Sequence, residues 1–95
     1  MAHFNSLYEK YTSTQPSGAE IDAKTILAPY TQQFGITITD SAIILEHGQS
    51  PLNNIPRANI YAIVDEEEEL YIILRSSIYV LNKVDGKIKL NIRNL

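Results

Sequence analysis

The residue types of nucleophilic hydrolysis come close together once in this chain: Asp40, Ser41, His47 and Ser50 lie within one short stretch. A serine becomes a nucleophile only when a base and an orienting carboxylate surround it in space. Neither serine is framed by the glycines of a nucleophile elbow, so sequence proximity assigns no catalytic role. His3 and His47 are the only histidines, and there is no cysteine. Two histidines without a spaced third ligand make a poor zinc site. Thiol catalysis, disulfides and cysteine-ligated metal are excluded outright. No Gly-x-Gly-x-x-Gly and no Walker-type loop is present to cradle a phosphate. The sequence therefore predicts a protein that is not an enzyme and uses no metal or cofactor.

Charge offers more than catalysis does. Asp65, Glu66, Glu67, Glu68 and Glu69 form an unbroken acidic run. Placed between two apolar stretches, it reads as a hairpin tip. Such a tip either keeps strand edges soluble or gives a basic partner something to hold. Calcium is a poor fit, because the spaced Asp-x-Asp-x-Asp-Gly pattern of an EF-hand is missing. Residues 1–70 hold ten acids against three bases, while residues 71–95 hold Arg75, Lys83, Lys87, Lys89 and Arg93 against Asp85 alone. This asymmetry can steer a partner or drive self-association. Nucleic acid is disfavoured, since the pI is near 5.2 and few aromatics interleave with the basic residues.

A long connection, Gly48 to Arg57, is the other candidate contact region. It is rich in proline and asparagine, and long loops on rigid scaffolds often carry function. Leu52, Asn53, Asn54 and Arg57 are its candidate partner-binding residues, although Leu52 and Ile55 could equally tuck under and anchor it. The expected partner of both regions is another protein, with a second copy of the chain as the alternative.

The elements that must position these residues follow from periodicity. Phe4, Leu7, Tyr8 and Tyr11 fall on one helical face, and Ser6 to Glu9 has capping-box spacing. Ser17 to Glu20 repeats that spacing, and Ala23, Leu27, Tyr30 and Phe34 make a second helical stripe. Pro29 has no N–H, so that helix either kinks there or stops near Leu27 and restarts with Pro29 at its first position, the break being slightly favoured. Gly35 is placed to end it in a left-handed cap. From Ile36 the period becomes two. Strands are expected at Ile36–Thr39, Ala42–His47, Asn59–Val64, Leu70–Leu74 and Ile78–Lys83. Leu70-Tyr71-Ile72-Ile73-Leu74 is apolar on both faces, as a strand covered on both sides must be. Asp85-Gly86 predicts a two-residue type I′ turn. That turn pairs Leu81 with Leu90 and Tyr79 with Ile92, and puts Leu90 and Ile92 on the apolar face. Most tyrosines sit on apolar stripes, while Tyr61 and Tyr71 could face outward and mark a contact surface.

The resulting expectation is a single α+β domain. One or two short N-terminal helices occupy residues 1–35. A five- to six-stranded antiparallel meander occupies residues 36–95, either covered by the helices or curled into a small open barrel. With 95 residues, 44% hydrophobic and 20% charged, the chain has the composition of a globular domain. Met1-Ala2-His3-Phe4-Asn5 has no basic n-region and no apolar h-region, and no apolar run approaches a membrane span. The expected location is the cytoplasm. The function these features suggest is a small protein-interaction module of adaptor, inhibitor or immunity type. The alternative is a small-molecule binder with a pocket between helices and sheet, using Tyr30, Tyr61, Tyr71 and His47.

Overall fold

A computed structural model describes residues 2–16, 18, 20–46 and 53–93. Its helices are α1 (Ala2–Tyr11), α2 (Ala23–Leu27) and α3 (Thr31–Phe34), the last two joined by a 3₁₀ turn at Ala28–Tyr30. Its strands are β1 (Ile36–Ile38), β2 (Ala42–Leu45), β3 (Asn53–Pro56), β4 (Ala62–Asp65), β5 (Glu69–Ile73), β6 (Ser77–Asn82) and β7 (Ile88–Ile92). They form two antiparallel sheets, β1-β2-β3 and β4-β5-β6-β7. The α+β class is as the periodicity predicts, but the single five- to six-stranded meander is not, and neither sheet closes into a barrel.

The division into two sheets has a local cause. β3 was hidden because Asn53, Asn54 and Pro56 are poor strand formers. Its one strong strand residue, Ile55, lies opposite Ile43 and is fully buried. Pro56 then leads into a 3₁₀ turn at Arg57–Asn59, closed by Ile60 N–H donating to the Arg57 carbonyl at 3.1 Å. That turn starts a new sheet, so β4 begins at Ala62 rather than Asn59.

The helices differ from expectation at their starts. α1 already includes Ala2, which puts the Ser6–Glu9 capping box inside the helix. α2 starts at Ala23, where the carboxylate of Asp22 accepts the Thr25 N–H at 3.2 Å. α2 thus starts later than the Ser17–Glu20 spacing predicts, and Ser17 and Ala19 of that spacing lie outside the described residues. Pro29 does break the helix, sitting in the first turn of the 3₁₀ segment that separates α2 from α3. Gly35 ends α3 at φ 62° and donates its N–H to the Thr31 carbonyl.

Both faces of β5 and β6 are covered. On one face Leu70, Ile72 and Leu81 pack with Ile43, Leu45 and Ile55 of the first sheet and with Leu27 and Phe34. On the other, Tyr71, Ile73, Ile78 and Val80 pack against Leu7 and Tyr8 of α1. This is why β5 is apolar at every position from Leu70 to Ile73. Each such fully buried side chain contributes about 1.5–3 kcal/mol. Tyr71 therefore points inward rather than marking a contact surface, and is 2% exposed.

The last hairpin has the expected faces but a shifted register. Leu81 lies opposite Ile88, Tyr79 opposite Leu90 and Ser77 opposite Ile92. The connection is four residues, not two. Asn82 Oδ1 accepts the N–H groups of Val84 and Asp85, and Asp85 Oδ1 accepts that of Lys87. Gly86 takes φ 73°, whereas no non-glycine residue has positive φ among the described residues. A type I′ turn needs positive φ at Asp85 as well, so Asn82 wins by building an Asx-type turn first. A shift of two residues preserves which side chains share a face.

Candidate functional site

The acidic run forms the β4–β5 turn, closed by the Glu66 N–H donating to the Glu69 carbonyl at 2.9 Å. Its five members separate into two groups. Asp65 pairs with Lys83 and accepts the Tyr30 hydroxyl at 3.1 Å. Glu69 is half-buried in β5 and accepts the Tyr71 hydroxyl at 2.8 Å. Glu66, Glu67 and Glu68 are exposed. Lys83 also donates to the Glu66 carbonyl, and its ammonium sits 4.7 Å from the Tyr30 ring centroid. Desolvation works against its charge, but hydrogen bonds with Asp65 and Tyr30 outweigh it and hold its pKa above the usual lysine value. The exposed part of the acidic run is thus three glutamates at a turn whose flanks are tied to the fold.

The loop candidates disperse. Leu52 lies outside the described residues, as does His47. Asn53 and Asn54 belong to β3, opposite Leu45 and Ile44, and Asn54 is exposed. Arg57 is half-buried, and its guanidinium donates to the carbonyls of Ile21 at 2.9 Å and Thr39 at 3.4 Å. It ties the chain before α2 to the end of β1. The structure does not merge this group with the acidic turn into one described constellation. Among the described residues, no three metal-ligating side chains gather.

The surface that sequence reasoning missed is β7. Among the described residues the exposed large hydrophobics are Val84 at 78%, Leu90 at 48% and Ile92 at 65%. All three lie on β7 or on the turn that leads into it. Ile88, at the start of the strand, still packs against the core, so the cover supplied by the first sheet runs out along β7. The strand is also an edge of its sheet. Hydrogen bonds from Asn82 N–H to the Lys87 carbonyl and from Arg93 N–H to the Ser76 carbonyl fix its phase. Odd-numbered residues of β7 bond to β6. Ile88, Leu90 and Ile92 turn their N–H and C=O groups outward. Lys87 and Lys89 are exposed on the opposite face. Arg93 follows them, with its guanidinium 5.0 Å from the Tyr8 ring centroid. Burial raises the Tyr8 pKa, and the Arg93 charge offsets part of that rise. Tyr8 in turn donates its hydroxyl to the Asn91 carbonyl at 3.1 Å, which fastens α1 to this strand.

No family model, curated protein or solved structure matches this chain. The site therefore rests on geometry alone. No helix among the described residues is long and apolar enough to cross a membrane.

An open cleft of about 880 Å³ lies where the chain after α1 passes the ends of the strands. Glu9, Thr12, Tyr61, Arg75, Ser77 and Arg93 are among its lining residues. Of the tyrosines expected in a helix–sheet pocket, only Tyr61 lines it. Tyr71 is buried and Tyr30 is bound to Asp65. The helix–sheet interfaces themselves are packed with Leu7, Tyr8, Leu27 and Phe34.

Proposed function

We propose that this chain is a small, non-enzymatic protein-interaction module that meets its partner along β7. One observation carries the reading: the large hydrophobics exposed among the described residues are concentrated on an open sheet edge. Singly scattered apolar residues on a surface are ordinary. Their concentration beside a row of unpaired backbone groups is the arrangement that strand-adding recognition uses, and that an uncommitted protein blunts. The exposed Glu66, Glu67 and Glu68 supply a second, electrostatic influence that orients a partner at a distance.

The test is a photo-crosslinking residue placed at Leu90 or Ile92, with Gln32, an exposed residue of α3, as control position. The expected result is one discrete protein adduct at positions 90 and 92 and none at 32. The captured protein, once purified, should rebind the unmodified chain at one to one. Equal or absent labelling at all three positions would contradict the proposal. A second reading, small-molecule binding, is supported by the cleft, where Arg75 and Arg93 would favour a ligand with an anionic group.

A further inference from the structure

We infer that the occupant of the β7 edge is an extended partner segment alternating apolar and acidic residues, added as a fifth strand. This rests on the reading of β7 as the contact surface and specifies what that surface selects. Ile88, Leu90 and Ile92 direct their side chains to one face and their free backbone groups outward, in the same register. A strand paired there continues the ladder and lays every second side chain beside Leu90 and Ile92. Its intervening side chains fall on the face of Lys87, Lys89 and Arg93. No acid occurs between Lys87 and Arg93, and the only ion pair among the described residues is that of Lys83 with Asp65. Opposite charges across a strand pair are stabilising and like charges directly opposite are destabilising.

The same rule disfavours a second copy of the chain. Antiparallel self-pairing must match outward-facing residues with one another, so only a few registers are allowed. The register centred on Leu90 sets Lys87 against Arg93 of the other copy, twice. A shift toward the start of the strand sets Lys89 against Lys89. A shift toward its end sets Lys89 against Arg93. Every register that joins three or more residues of β7 thus opposes two cations. An acidic strand gains from the same three residues that a second copy loses by.

The experiment titrates the isotope-labelled full chain with the capped heptapeptide Glu-Ile-Glu-Val-Glu-Ile-Glu and with its all-lysine counterpart, at low and high salt. The acidic peptide should shift the amide resonances of Ile88, Leu90 and Ile92 saturably and slow their exchange. Salt should weaken it, because the charges are exposed. Lys89→Glu should weaken it roughly 3- to 30-fold, the effect of losing one favourable cross-strand charge pair and gaining an unfavourable one. Unchanged β5 and β6 resonances would show that this variant keeps its fold. Equal or tighter binding of the lysine peptide would overturn the acidic preference while leaving strand addition in place. Failure of both peptides would overturn this inference, and the crosslinking result would still decide the interaction function by itself. Concentration-dependent dimerisation through β7 in the free chain would overturn it in favour of a second copy.

Discussion

Tyr71 places a phenol in β5 at 2% exposure, with its hydroxyl given to Glu69. Burial first, and then that hydrogen bond and the glutamate charge, push its pKa far above the ordinary tyrosine value. A group whose folded pKa is raised supports the fold below its unfolded pKa, about 10 for tyrosine. That support is lost as pH rises toward the folded value. Tyr8 and Lys83 are shifted in the same direction. Stability measured by urea unfolding should therefore fall steadily above pH ~10, and Tyr71→Phe should flatten the fall. An unchanged slope in that variant would show that the ionisation of Tyr71 is not resisted by the fold. At this scale the sequence was only partly legible. Asp65 and Arg57 look like free charges in the sequence, and their partners Lys83 and Ile21 are distant along the chain. Leu90 and Ile92 obey the same period-two pattern as the buried Leu70 and Ile72. Nothing in that pattern says where the covering layer stops.

At the scale of elements, the two glycines with positive φ test the turns in opposite ways. Gly35, between α3 and β1, has φ 62°, and an added Cβ would lie 1.8 Å from the Glu46 carbonyl oxygen. Gly86, between β6 and β7, has φ 73° and open space around the same position. Gly86→Ala should cost about 1–2 kcal/mol, the left-handed penalty alone. Gly35→Ala should cost clearly more, because the first sheet must move away from the helix end as well. Equal losses in denaturant unfolding would refute this contrast. The cap at Gly35 was readable, and Pro29 marked the place of the break though not whether the helix would kink or stop there, because each depends on one residue's own backbone. The four-residue turn and β3 were not. The first depends on Asn82 outcompeting Asp85-Gly86, and the second on Ile43 supplying a partner for a sequence with little strand preference of its own.

At the scale of the molecule, the Cα radius of gyration is 12.4 Å, about the value of a compact chain of this length. The second sheet is wider than the layers that cover it. The first sheet and the helices bury β5 and most of β6, and β7 projects past them with Leu90 and Ile92. The charge asymmetry visible in the sequence takes spatial form here, with cations along one edge and three exposed glutamates at another turn. Class and helix placement follow from patterns within segments. The division into two sheets and the uncovered edge follow from how segments meet, which the sequence alone does not encode locally. The most direct test of the open edge is residue-resolved amide exchange of the free chain. Lys89, Asn91 and Arg93 should be protected by β6, while Ile88, Leu90 and Ile92 exchange rapidly. Protection of all six amides would mean that the edge is already occupied, and would contradict the account.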